Sequence, residues 1–308
     1  MVTILLFPGQ GAQRVGMAQD LAERFPAARS RLEEIDRALD EPITPVMWEG
    51  PEERLQQTEF AQPAILAHSS AVLAAVGERL GTVGGSAGHS LGEYSAYVAA
   101  GALDPVAAAR LVRTRGRLMS EAGSQRPGAM AAVLGLGQDQ VAEACNGAST
   151  DTEIVVPANL NTEDQTVISG DPGAVTRAGE ACRARGARRV QPLKVSGAFH
   201  SPLMEPAAMG LRAALDQTGF SDPRFAVVAN ATGQPVATAA EARRLLGDQL
   251  TAPVRWVECV RALAALAPGA RFLELGPGSV LGGLLKRILP GSSCQSVGTA
   301  AEVEAFLA

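Results

Sequence analysis

Apolar positions come in short runs and in helical periods, and both predict elements. Val2-Thr-Ile-Leu-Leu-Phe7 is an apolar run stopped by Pro8-Gly9, which reads as a buried strand feeding a loop. Helical spacing follows over residues 17–39 and 63–80. The small-residue run Val83-Gly-Gly-Ser-Ala-Gly88 leads into His89-Ser90-Leu91-Gly92-Glu93, and a helical pattern continues to Gly101, a C-cap. Asp104-Pro105 then supplies an N-cap and a first-turn proline for a helix reaching about Ala122.

The texture changes between Gly128 and Val195. Strands are expected over 129–136, 154–160, 165–169 and 188–195, with helices over 139–145 and 172–185. That order, β-α-β-β-α-β, is the ferredoxin-like pattern. Inserted in an α/β domain, such a unit makes two lobes with a cleft between them. Further helix follows, then a strand over 225–229 and a strand–turn–helix over 272–288 around Gly276-Pro-Gly-Ser279.

Composition narrows the function. The chain has 308 residues, 46% apolar and 19% charged, enough for one large domain carrying a smaller insertion. A net charge of −5 gives no electrostatic reason to expect a nucleic-acid partner. No apolar run reaches membrane-spanning length, and Val2–Phe7 is too short for a signal-peptide core. Cys145, Cys182, Cys259 and Cys294 are scattered without a CxxC pair, and there are only three histidines, so no metal cluster is expected. Free thiols without a secretion signal place the chain in the cytoplasm.

Gly88-His89-Ser90-Leu91-Gly92 fits G-x-S-x-G, a sharp strand-to-helix turn that exposes a serine hydroxyl where free backbone N–H groups favour an oxyanion. The same five residues also fit a glycine-rich turn with an N-capping serine. A nucleophilic serine needs a base. His89 adjoins Ser90, so its side chain points elsewhere, and His68 lies inside a helical stretch. His200 remains, at a turn-rich exit from the inserted unit, and is the base by elimination.

In the helix after Pro105, Arg115 lies four residues after Leu111, three after Val112, three before Leu118 and four before Met119, so it shares the apolar stripe. Arg110, Arg113 and Arg117 fall on the other face and are expected in solvent. An inward guanidinium must be paired. Its partner is either an internal carboxylate or a substrate carboxylate gripped bidentately.

Seven motifs occur in order: Phe7-Pro-Gly-Gln-Gly-Ala-Gln13, Gly88-His-Ser-Leu-Gly-Glu93, Arg115-Gly116, Gly128-Ala-Met-Ala131, Ser196-Gly-Ala-Phe-His200, Gln249-Leu-Thr-Ala-Pro-Val-Arg-Trp256 and Glu274-Leu-Gly-Pro-Gly278. Together they resemble the malonyl-CoA:acyl carrier protein transacylases and the acyltransferase domains of polyketide synthases, over nearly the whole chain. The resemblance implies an α/β fold: an α/β-hydrolase-like large subdomain over 1–126 and 196–308, with a ferredoxin-like small subdomain over 127–195. It implies malonyl transfer from malonyl-CoA to an acyl carrier protein, by a monomer whose only coenzyme is the substrate thioester. By position, Ser90 matches the acylated serine, His200 the general base, and Gln10 with the Leu91 N–H the oxyanion hole. Arg115 matches the malonyl receptor, and Gln249 the residue whose backbone carbonyl orients the histidine. Asn159 matches an asparagine lining the cleft, and Phe199 matches the residue that disfavours α-methyl acyl groups.

Other features are weaker. Gly9-Gln-Gly-Ala-Gln-Arg-Val-Gly16 misplaces the third glycine of a dinucleotide fingerprint. Gly276-Pro-Gly-Ser279 fits a structural turn better than a phosphate cradle. Arg183, Arg185, Arg188 and Arg189 form a basic run that is either a solvated face or an attraction for an acidic carrier. Two rival functions share these motifs. A serine thioesterase or editing acyl hydrolase would use Ser90 and His200 without needing Arg115, and a silent carrier-binding subunit would need none of the three.

Overall fold

Ten strands form two sheets among the described residues of the computed structural model, which are 2–195 and 197–308. Met1 and Ser196 lie outside them; Ser196 opens the Ser-Gly-Ala-Phe-His motif and the second expected segment of the large subdomain. The strands are β1 Thr3–Phe7, β2 Val83–Gly88, β3 Ala129–Leu134, β4 Val155–Thr162, β5 Gln165–Gly170, β6 Arg189–Pro192, β7 Val227–Val228, β8 Pro235–Val236, β9 Arg271–Leu275 and β10 Cys294–Val297.

The larger sheet runs β10-β9-β1-β2-β7-β8 and is parallel except where β8 pairs with β7. All five residues of β1 are buried, Thr3 with its hydroxyl donating to the Leu80 carbonyl (3.3 Å), as expected when helices cover both faces of a parallel sheet. The smaller sheet, β4-β5-β3-β6, is wholly antiparallel and carries the helices Gln138–Ala148 and Pro172–Ala184. This is the ferredoxin-like order, with its own core built around Val133, Val141, Ile168 and Cys182.

Where the elements depart from the sequence pattern, proline explains two cases. The stretch 17–39 divides into helices Gln19–Arg24 and Pro26–Ala38, because the residue before a proline is pushed out of the helical region and Phe25 is extended (φ −119°, ψ 109°). The helix expected over 63–80 begins at Thr58 rather than Pro63 and runs to Val76. Pro63 therefore lies inside it and supplies no N–H to the Glu59 carbonyl. That carbonyl instead accepts from Arg113 Nη1 (3.1 Å), while Arg113 Nη2 donates to the Glu41 carbonyl (3.0 Å). The expectation that Arg113 is solvated is thus corrected: it is buried, because the long helix is covered on that side as well.

That long helix, Pro105–Gln125, is capped as expected, with the Asp104 carboxylate accepting from the N–H groups of Val106 (2.9 Å) and Ala107 (3.1 Å). β6 stops at Pro192, leaving residues 193–195 as an irregular wall of the cleft. The edge strand β4 of the smaller sheet is tied to the segment preceding the helix Trp256–Leu266, where the Leu160 N–H donates to the Val254 carbonyl (2.9 Å) and the Val254 N–H to the Ala158 carbonyl (2.8 Å). Among the described residues, no helix is long and apolar enough to cross a membrane.

Candidate active site

β1 and β2 are parallel neighbours, so the loops at their carboxyl ends meet at one edge of the sheet, where open α/β sheets place their ligands. Ser90 sits on the turn between β2 and the helix Gly92–Ala99, with φ 52°. A non-glycine residue there is strained by about 1–3 kcal/mol, which the surroundings must hold in place. Two close approaches do so. A Cβ on Gly88 would lie 1.9 Å from the Gly92 carbonyl, and one on Gly92 would lie 2.2 Å from the Phe7 carbonyl, so the turn closes only with glycine at both positions. The Ser90 N–H donates to Asn230 Oδ1 (2.7 Å), and Asn230 Nδ2 donates to the Gly88 carbonyl (2.8 Å).

His200 reaches the serine from the far side of the inserted unit, with Nε2 2.7 Å from Ser90 Oγ. Its Nδ1 faces the carbonyls of Gln249 (3.0 Å) and Ala252 (3.2 Å). Carbonyls only accept, so Nδ1 carries the proton and Nε2 is the free base that accepts from the serine hydroxyl. Burial, reinforced by the nearby Arg115 charge, lowers the His200 pKa to about 3. The imidazole therefore stays neutral as pH falls from 8 to 5. In Glu93→Gln, which removes the other buried group titrating near neutrality, the rate of Ser90 acylation under kcat/KM conditions should show no acid limb near 6.5, the ordinary histidine value. A stopped-flow series from pH 5 to 8 checks this, and a limb centred at 6.5 would count against a buried neutral base.

Arg115 is buried, as its helical phase requires. Its Nη1 donates to Gln62 Oε1 (2.8 Å), and its Nη2 to both Gln249 Oε1 (2.9 Å) and Ser90 Oγ (3.1 Å). Among the described residues it makes no ion pair within 4.0 Å. Of the two partners left open by the sequence, the internal carboxylate is thus absent from direct contact. A buried guanidinium beside the Ser90 hydroxyl, with no carboxylate in contact, has its charge left to pair with an anion.

The remaining expected residues fall around a cleft of about 480 Å³, lined among others by Gln10, Ser90, Asn159, Phe199 and His200. Gln10 Nε2 donates to Thr58 Oγ1 (3.2 Å). The Leu91 N–H, at the start of the helix after Ser90, has no protein acceptor among the described residues and is available to an oxyanion. Asn159 sits at a register shift in β4, beside Val254. His89 turns away from the serine, as expected, and its Nε2 meets Asn161 Oδ1 (2.8 Å). His68 Nε2 meets the Gly298 carbonyl (2.7 Å), consistent with a helix histidine remote from the chemistry.

Three residues around the site went unassigned in the sequence. Gln62 is recognisable only once its helix is known to start at Thr58. Asn230 follows the apolar end of β7 and gives no motif. Glu93 belongs to the nucleophile motif, yet is fully buried three residues beyond the serine. Its Oε2 accepts from the Asn230 N–H (3.0 Å) and from Gln249 Nε2 (2.7 Å), and burial raises its pKa to about 7.

Comparison with known proteins bears on the family and the fold. A family model described as an acyl transferase domain matches residues 4–306. The chain is 42% identical over 284 residues to the malonyl CoA-acyl carrier protein transacylase of Bacillus subtilis, spanning 92% of this chain and 89% of that protein. To the Staphylococcus aureus (strain MW2) protein of the same name it is 40% identical over 304 residues, spanning 99% and 98%. A malonyl-transacylase solved in complex with its type II polyketide synthase acyl carrier protein superposes with a TM-score of 0.94 at 41% identity, covering 100% of this chain and 99% of that one. An acyl carrier protein S-malonyltransferase from Vibrio cholerae gives 0.92 at 40% identity, covering 98% and 99%.

Proposed function

Since the chain belongs to the acyl transferase domain family, we propose that it transfers malonyl from malonyl-CoA, through an ester on Ser90, to the phosphopantetheine thiol of an acyl carrier protein in fatty-acid or polyketide synthesis. The observation that carries this reading is the buried Arg115 guanidinium, 3.1 Å from the Ser90 hydroxyl and without a carboxylate partner among the described residues.

In the first half-reaction Arg115 holds the free carboxylate of the thioester, which brings the carbonyl carbon to Ser90. His200 Nε2 takes the hydroxyl proton as Ser90 Oγ attacks. The Leu91 N–H and Gln10 receive the oxyanion, a contribution of about 2.7–4 kcal/mol for one donor. The C–S bond then breaks, and the proton passes from Nε2 to the departing sulfur. In the second half the carrier's thiol gives its proton to Nε2, its sulfur attacks the ester, and Ser90 Oγ recovers the proton. A thiol has a pKa near 8.5 and leaves more readily than an amine, so a histidine oriented by two carbonyls suffices without an acidic third residue.

Every step is a proton transfer or an acyl displacement, which needs no cofactor beyond the coenzyme A thioester. All the groups come from one chain, consistent with a monomer. Malonyl-CoA as substrate, together with Cys145, Cys182 and Cys259 as buried free thiols, fits the cytoplasm. Phe199, buried against the cleft, narrows the space beside the acyl α-carbon.

The deciding experiment mixes malonyl-, methylmalonyl- and acetyl-CoA in competition, with and without holo carrier protein, and follows acyl-enzyme, acyl-carrier and free acid. Malonyl should dominate, with methylmalonyl behind it by roughly 10- to 200-fold, the range one methyl allows. The carrier should capture most of the acyl group. Rapid release of free malonate with little transfer would identify a hydrolase instead.

A further inference from the structure

The arginine receptor poses a problem of charge: a buried guanidinium needs compensation, yet a carboxylate in direct contact would compete with the substrate. The hydrogen bonds resolve it through Gln249. The Gln249 carboxamide has one donor end and one acceptor end, and both are engaged. Its Nε2 donates to the Ser90 carbonyl (3.0 Å) and to Glu93 Oε2 (2.7 Å), while its Oε1 accepts from Arg115 Nη2 (2.9 Å). Glu93 and Gln249 are both excluded from solvent, so these bonds have no water to replace them. Reversing the amide would set its NH₂ against the guanidinium and its oxygen against two acceptors.

We infer that Glu93 is a positioning residue for acyl selectivity: its carboxylate fixes the Gln249 carboxamide with the oxygen toward Arg115, and so holds the guanidinium at the nucleophile while leaving it free for the substrate's carboxylate. A neutral amide between the two charges keeps the anion close enough to stabilise Arg115 and too far to occupy it. The same carboxylate also accepts from the Asn230 N–H, whose side chain holds the Ser90 N–H. Loss of Glu93 therefore slows every substrate to some degree, and the selective effect lies in the ratio between malonyl and acetyl.

This inference rests on Arg115 being the carboxylate receptor. The measurement is the ratio of kcat/KM for malonyl-CoA to that for acetyl-CoA in single-turnover acylation. Glu93→Leu, close in volume but without an acceptor, should lower the ratio about tenfold or more, within the range of couplings between contacting residues. Glu93→Gln, which keeps an acceptor oxygen, should recover most of it. In an Arg115→Ala background, Glu93→Leu should leave the ratio unchanged. If Glu93→Leu does not fold, Gln249→Met removes the same carboxamide while keeping the backbone carbonyl that orients His200, and should lower the ratio alike. Equal losses on both substrates, or a Glu93→Gln variant no better than Glu93→Leu, would overturn the role given to Glu93. An Arg115→Ala enzyme with an unaltered ratio would instead overturn the receptor reading beneath it.

Discussion

Ser90→Ala is expected to abolish the acyl-enzyme and to lower turnover on the order of 10⁶-fold, the loss seen when a hydrolase triad loses its nucleophile. The geometry makes this change a clean one. Alanine keeps the backbone N–H that donates to Asn230 Oδ1, and Gly88 and Gly92 still close the turn. Only the hydroxyl between His200 Nε2 and Arg115 Nη2 is removed. Thermal stability should therefore stay close to that of the parent while chemistry stops, and malonyl-CoA should still bind through Arg115. Intact mass after mixing with malonyl-CoA checks the result directly: the parent gains one malonyl group and the variant none. An undiminished adduct on Ser90→Ala would remove Ser90 from the mechanism.

The parts of the site that lie within one element were legible in the sequence. The elbow could be read because its glycines, its serine and the flanking strand and helix are contiguous. The inward face of Arg115 could be read because its helix is long, opens with Asp104-Pro105 and keeps one apolar stripe. Arg113 shows the limit of that argument: periodicity finds one buried face, and this helix has cover on a second side from the Glu59 and Glu41 segments. The ferredoxin-like order was legible because alternating strands and amphipathic helices change period at each boundary. β10, Cys-Gln-Ser-Val, is four residues of mixed polarity at a sheet edge and has no such signature.

The polar network behind the nucleophile was not legible, because it is made by topology. Glu93 meets Asn230 and Gln249, which are 137 and 156 residues away in the chain. Spacing in sequence says nothing about such a meeting; it follows from Asn230 lying just beyond the carboxyl end of β7, the strand paired with β2, and from the helix Ala239–Asp248 ending at Gln249. His200 was found by elimination among three histidines, an argument that a fourth would have weakened. Its tautomer became definable only when two carbonyls were seen at Nδ1.

Arg115→Ala should reverse the substrate preference. Truncating one member of a buried charged pair costs about 3–5 kcal/mol, which at 1.36 kcal/mol per decade is a loss on the order of 10²- to 10⁴-fold for malonyl-CoA. Acetyl-CoA has no carboxylate to lose. In the parent enzyme an acetyl group must sit beside a buried cation that it cannot pair, whereas in the variant it faces the Gln62 and Gln249 carboxamides. Its kcat/KM should therefore hold or rise while that of malonyl-CoA collapses, and the two are compared as acylation rates of Ser90 in parallel reactions. Arg115→Lys sharpens the test. It keeps the charge but replaces the planar fork with a single ammonium, so bidentate pairing is lost and an intermediate preference is expected. If Arg115→Ala lowered both substrates by the same factor, Arg115 would be a scaffold for Ser90 and Gln249 and would play no part in choosing the acyl group.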